Sequence, residues 1–196
     1  MTRGLPFAAP KGATVTKRLA DALAAISAIW LSLALITPIA PSTAAVNTAD
    51  ASIPVDPGTS LEMHATANCI AAEGRCAFNT AANLRAPEGV IGFPGDTYGR
   101  QSTTLRTMDR SVYINFDYDL TNTRSFTSLT DVVFQTVFFA GGPPEKFTWR
   151  GNAFPVDART GQPRTDVPLI VCAHIQVVYA GVNLTSPDAC AQAAFS

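Results

Sequence analysis

The chain has 196 residues, a formal net charge of −1, and 47% hydrophobic residues. This length suits one domain with an added targeting segment and is sufficient to bury a core. No run of Lys or Arg supplies the electrostatic footprint of a polyanion-binding protein, so nucleic acid is not expected as a partner.

Residues 1–45 have the pattern of an export signal. Three basic residues lie within 11–18, the stretch 23–39 carries no charge, and residues 42–45 are small enough for a signal peptidase. We therefore expect a helical signal segment over 1–45, cleavage, and a mature chain that begins near Val46. The protein would then be secreted or held in the cell envelope.

A retained membrane anchor is the alternative for this segment, because the uncharged stretch is near the shortest length that spans a bilayer. Pro38 and Pro41 disfavour a continuous span, and no retained transmembrane segment is expected. Four of the 14 basic residues and one of the 15 acidic residues lie in 1–45, so the remaining chain carries a formal charge of −4.

The four cysteines all lie in the exported part: Cys69, Cys76, Cys172 and Cys190. An even count in an oxidising compartment predicts two disulfides, for which three pairings are possible. We favour the two pairs that are closest in sequence, because short loops close at the lowest entropic cost. A metal or redox site is disfavoured because the two-residue cysteine spacing is missing.

The first part of the exported chain gives weak structural signals. Residues 46–60 mix small, polar and Pro residues without an apolar period, which predicts a flexible leader. The folded domain is expected over 61–196. Within it, the alanine-rich stretch 69–84 predicts a turn or a short helix.

Strand patterns become clear farther along the chain. Residues 112–120 alternate apolar and polar side chains, as a half-buried strand requires. Residues 131–140 are apolar on both faces, which is typical of a central strand, and Gly-Gly-Pro-Pro at 141–144 ends it.

Three segments complete the pattern: a short strand over 146–150 with two aromatic residues on one face, a polar loop over 157–166, and a long strand over 169–179. Several short strands separated by Gly and Pro predict an all-β fold, an antiparallel sandwich or barrel.

Few residues suggest chemistry. Asn115, Asp117 and Asp119 share one strand face, but successive outward residues lie about 6.5–7 Å apart, too far for all three to bind one ion. His64 and His174 stand in no hydrolase, zinc or nucleotide motif. No catalytic, cofactor-binding or metal-binding residue is therefore assigned.

The glycine-rich loop 89–95 is the predicted contact region, with Phe93, Tyr98 and Arg100 as its contact residues. In one interpretation Phe93 packs back onto the sheet within a wide turn. In the other it is an exposed aromatic tip that contacts a partner or a glycolipid.

Three segments resemble small exported proteins of mycobacteria-type actinobacteria that have no assigned activity: SVYINFDYDLTNTR, VVFQTVFFAGGPPEKF, and VCAHIQVVYAGVNLTSPDAC. The resemblance covers most of the exported domain but includes no functional motif. It implies secretion into or through a lipid-rich envelope, and it assigns no catalytic or ligand residue.

Three functions follow as hypotheses. The first is a non-enzymatic binding or interaction domain for an unknown protein or an envelope lipid or glycan. The second is a hydrolase of envelope carbohydrate or lipid, which would need a polar pocket with a histidine beside Asp or Ser. The third is a lipid carrier with an apolar cavity lined by the phenylalanines of 134–139.

Overall fold

The computed structural model describes residues 46–118 and 121–196. The predicted signal segment at 1–45 and the predicted strand residue Asp119 lie outside these residues. The described chain is all-β, as predicted. Its strands are β1 (Asn47–Asp56), β2 (Thr59–Ile70), β3 (Arg75–Ala86), β4 (Gly89–Ile91), β5 (Tyr98–Thr107), β6 (Tyr113–Tyr118), β7 (Thr123–Thr127), β8 (Asp131–Phe139), β9 (Thr148–Val156), β10 (Leu169–Tyr179), β11 (Val182–Thr185) and β12 (Ala189–Ala193).

The strands form two antiparallel sheets in a sandwich-like arrangement. The first sheet has the order β1-β2-β3-β9-β6, with β4 paired to β3. The second has the order β11-β10-β5-β8-β7, with β12 paired to β10. Alternate side chains of each sheet enter one shared core, and the others form two outer faces. Among the described residues, no helix is long and apolar enough to cross a membrane.

The flexible leader predicted over 46–60 is wrong. Strand β1 pairs with β2 in register from Asn47 to Asp56, with one irregularity near Pro54. Its alternation is weak in the sequence because two of its four core-packed residues are alanines, which give little apolar contrast with their polar neighbours. Pro54 is tolerated because β1 is an edge strand.

The turn or short helix predicted over 69–84 is also corrected. Only Ala71–Glu73 form one turn of 3-10 helix, and Gly74 adopts a left-handed φ of 58° that returns the chain into β3. The Cys69–Cys76 disulfide joins directly opposed residues of β2 and β3. Because several inward positions hold alanine, cysteine or threonine, this regular hairpin has only a weak apolar period in the sequence.

The later strands agree better with the sequence. Strands β6, β8 and β10 form where alternation or a long apolar run predicts them, and β8 is interior to its sheet. The strand predicted over 146–150 is shifted: Pro144–Phe147 form a 3-10 turn, and β9 begins at Thr148. The pairing Cys172–Cys190 is confirmed together with Cys69–Cys76. Both disulfides indicate an oxidising, extracytoplasmic environment.

Candidate functional site

Phe93 of the predicted contact loop is a core residue. It is 5% exposed, and its ring centroid lies 4.3 Å from that of Phe147. Its backbone amide donates to the carbonyl of Gly142, and Gly141 packs so closely that a Cβ there would lie 1.7 Å from the carbonyl oxygen of Pro94. The interpretation that Phe93 packs back onto the sheet is confirmed, and the exposed aromatic tip is wrong.

Tyr98 and Arg100 reach the outer face of the second sheet. Tyr98 is 40% exposed and lies between Val178 and Phe139 in a cross-strand row, with its ring centroid 6.0 Å from that of Phe139. The guanidinium of Arg100 donates to Gln176 at 3.2 Å. The sequence-predicted contact residues are therefore divided between the core, which holds Phe93, and the outer face of the second sheet, which carries Tyr98 and Arg100.

His64 lies in a small polar pocket on the first sheet. Its Nδ1 is 2.6 Å from Asp50 Oδ1, and its Nε2 is 2.8 Å from Asn83 Oδ1. The amide nitrogen of Asn83 donates to Glu62 at 2.9 Å, so the amide oxygen faces the histidine. Both ring nitrogens are therefore within hydrogen-bond distance of an oxygen, and the ring is held between β1 and β3.

The carboxylate of Glu62 completes this cluster. Burial raises its pKa, but hydrogen bonds from Arg85 and Asn83 outweigh burial and hold the pKa below its ordinary value. Arg85 Nε lies 2.5 Å from Glu62 Oε1. The network ties β2 to β3 at one end of the sheet.

His174 has a different environment on the outer face of the second sheet. Its Nδ1 lies 2.7 Å from Asp188 Oδ1, and Ser102 is its direct neighbour across β10 and β5. Among the described residues, Nε2 of His174 makes no hydrogen bond. Asp188, His174 and Ser102 are the residue types of a hydrolytic triad. Ser102 and His174 are, however, not hydrogen bonded to each other.

A groove of about 690 Å³ lies on the outer face of the first sheet. Asn68, Ala77, Asn152 and Asp117 form one row across β2, β3, β9 and β6. The small side chain of Ala77 lies between the two asparagines, so the groove is deepest there. We call this feature the outer groove.

A second row borders the first. Thr66, Asn79 and Arg150 are neighbours across β2, β3 and β9, and all three line the groove. Among the described residues, the guanidinium of Arg150 makes no hydrogen bond or ion pair. The Oδ1 atoms of Asn68 and Asn79 are inaccessible to solvent and have no partner within the described part of the chain.

One wall of the outer groove is fixed by hydrogen bonds. Arg75 Nη1 donates to Asn152 Oδ1 at 2.8 Å, and Asn152 Nδ2 donates to Asp117 Oδ1 at 2.8 Å. The backbone amide of Asn152 also donates to Asp117 Oδ1 at 3.1 Å. Asp117, which the sequence placed on a solvated strand face, is therefore part of a preorganised polar wall.

The space that a lipid carrier would need is filled by aromatic rings. The ring centroid of Phe134 lies 4.6 Å from that of Trp149, 4.9 Å from Phe116 and 5.3 Å from Tyr118. Phe138 packs on Phe147 at 4.9 Å. Of the phenylalanines expected to line an apolar cavity, Phe134 and Phe138 therefore lie in the packed core, and Phe139 lies exposed on the outer face of the second sheet.

Neither a family model nor a curated protein matches this chain.

Proposed function

We propose that the protein is an exported, non-enzymatic binding domain that holds its ligand in the outer groove. The supporting observation is the arrangement of polar groups around Ala77: among the described residues, Arg150 and the amide nitrogens of Asn68 and Asn79 make no hydrogen bond, and they lie beside the fixed pair Asn152 and Asp117. Binding sites typically combine concavity with a few convergent polar groups.

The frame beneath the groove supports the same function. Four adjacent strands carry the groove residues, and the Cys69–Cys76 disulfide links two of these strands directly below Asn68 and Ala77. Groups on paired strands lose little conformational entropy when they bind, so such a surface is preorganised. The signal pattern and the resemblance to exported actinobacterial proteins favour an envelope lipid, glycan or protein as the ligand.

The proposal is tested by filling the groove. The protein expressed from its full coding sequence would be purified after export and sedimented with the total envelope fraction of the exporting cells. Ala77→Trp places a large side chain in the lowest part of the groove, where the alanine points outward. Gln135→Trp, on the outer face of the second sheet, is the matched control.

We expect wild type and Gln135→Trp to sediment with the envelope and Ala77→Trp to remain in solution. Circular dichroism and the melting temperature must show that both variants are folded. Equal sedimentation of a folded Ala77→Trp would overturn the groove as the binding site, and absence of wild-type sedimentation would overturn envelope binding.

A hydrolase is the second candidate, supported by the Asp188–His174 hydrogen bond beside Ser102. In that role His174 would accept the hydroxyl proton of Ser102, with Asp188 orienting the ring. Labelling by a fluorophosphonate that Ser102→Ala and His174→Gln abolish would support this function. Labelling that is absent, or that persists in Ser102→Ala, would exclude it.

A further inference from the structure

We infer that the ligand of the outer groove is a glycan whose pyranose units carry a carboxylate. This inference rests on the proposed binding function and adds the chemical class of the ligand. It is drawn from the groups that the groove leaves without partners and from the sizes of the side chains between them.

The amide groups define the neutral part of the ligand. Asn68 and Asn79 lie on adjacent strands, and the Oδ1 atom of each is buried without a partner among the described residues. A buried unpaired acceptor is costly, but reversing either amide would only replace it with a buried unpaired donor, so the amide nitrogens are the groups that can meet a ligand. Amide donors of this kind complement hydroxyl groups, which accept as well as donate.

The fixed wall adds a second hydroxyl-binding group. Asp117 uses Oδ1 to accept both hydrogen bonds from Asn152, and Oδ2 makes no hydrogen bond among the described residues. A carboxylate oxygen held in this way accepts strongly from a hydroxyl donor. Asp117 lies three strands from Asn68, about 14 Å away, so the two groups can bind hydroxyls of different sugar units.

The charge of the ligand follows from Arg150. It is an exposed groove residue whose five guanidinium donors have no acceptor among the described residues, while Arg75 is engaged by Asn152 and Glu73. A free guanidinium pairs best with a planar carboxylate, in bidentate geometry. Asp117 lies on β6 opposite Asn152 of β9, which is two residues along that strand from Arg150, so the ligand must present its carboxylate to Arg150 and hydroxyl groups to Asp117.

The rest of the groove lining is apolar. Ala77 forms a small floor, the exposed Val46 borders one end, and Phe78 and Tyr118 also line the groove. These side chains can cover the C–H face of a sugar ring. A volume of about 690 Å³ is within the range of small-molecule sites, which fits a short stretch of glycan.

The test uses soluble oligomers of galacturonate, glucuronate and mannuronate, each compared with its methyl ester, which keeps the sugar and removes the charge. Binding to the exported protein would be measured by isothermal titration calorimetry. We expect at least one acidic oligomer to bind and its ester to bind about tenfold or more weakly.

Three variants locate the interaction. Arg150→Gln should weaken binding of the acid about tenfold or more while leaving the ester unchanged, and Asn79→Ala should weaken both. Arg124→Gln, an exposed arginine on the outer face of the second sheet, is the control and should bind as wild type does.

Each failure has a separate meaning. Equal binding of acid and ester, or an unchanged affinity in Arg150→Gln, would overturn the acidic ligand. If no oligomer binds while envelope sedimentation remains sensitive to Ala77→Trp, the glycan inference is wrong and the binding function stands. If sedimentation is also insensitive to Ala77→Trp, both are wrong.

Discussion

Gly151 lies opposite Phe78 across β3 and β9, and the aromatic ring leaves no room for a side chain there. A Cβ at position 151 would lie 2.8 Å from Phe78 Cζ and 2.5 Å from the carbonyl oxygen of Asp117. The ring of Phe78 in turn packs on Trp149, with centroids 5.0 Å apart. The absence of a side chain at one position thus allows the core to pack closely beneath the outer groove.

Gly151→Ala should therefore destabilise the protein by overpacking. We expect the free energy of unfolding to fall by about 1–3 kcal/mol, measured by urea denaturation. Gly95→Ala is the control, since a Cβ at Gly95 would meet no atom within 4 Å. Equal stability of the two variants would contradict the close packing of Phe78 against Gly151.

Phe93 and Tyr98 should respond differently to truncation. Phe93→Ala removes a buried ring and should lower the free energy of unfolding by about 3–5 kcal/mol. Tyr98→Ala removes an exposed ring and should change it by about 0.5 kcal/mol or less. If thermal unfolding showed Phe93→Ala to be as stable as Tyr98→Ala, the burial of Phe93 would be refuted.

The two disulfides should contribute unequally to stability. They close loops with sequence separations of 7 and 18 residues, for which chain entropy gives about 2 and about 3 kcal/mol. Treatment with dithiothreitol should lower the melting temperature by about 10 °C or more, because each kcal/mol shifts a domain of this size by a few degrees. A melting curve that does not change on reduction would contradict this contribution.

Glu62 gives the stability of the protein a defined pH dependence. Its pKa is lowered below 4.5 in the folded state, so the carboxylate stabilises the fold above that pH and loses this contribution as pH falls through the lowered pKa. Glu62→Gln should be less stable than wild type at pH 7, and the difference should shrink below pH 4.5. Glu88→Gln, in an exposed turn, is the control. A pH-independent difference for Glu62→Gln would contradict the charge effect.

Strands are predicted best from the sequence where large apolar side chains alternate with polar ones. Strands β6, β8 and β10 have this contrast, and the short cysteine separations identify both disulfides. Strands β1 and β3 place alanine, cysteine and threonine at several inward positions, so their period of two is weak. Local composition there suggests a leader and a turn or short helix. Pairing with neighbouring strands instead makes both segments strands.

The outer groove could not be predicted because its residues are far apart in the chain. Asn68, Asn79, Asp117 and Asn152 meet only because β9 inserts between β3 and β6, an order that no local pattern specifies. The alternation of residues 112–120 predicted that the side chain of Asp117 points away from the core, and this is confirmed. Its hydrogen bonds to Asn152 depend on strand register, which a single strand cannot indicate.

Hydrogen–deuterium exchange can show whether the protein binds its ligand through the outer groove. The protein would be compared with and without solubilised envelope material, and the Ala77→Trp variant measured in parallel. We predict slower exchange confined to the groove segments of β2, β3, β6 and β9, and no change in Ala77→Trp. Protection around Tyr98 and Phe139 on the second sheet instead would refute binding at the outer groove.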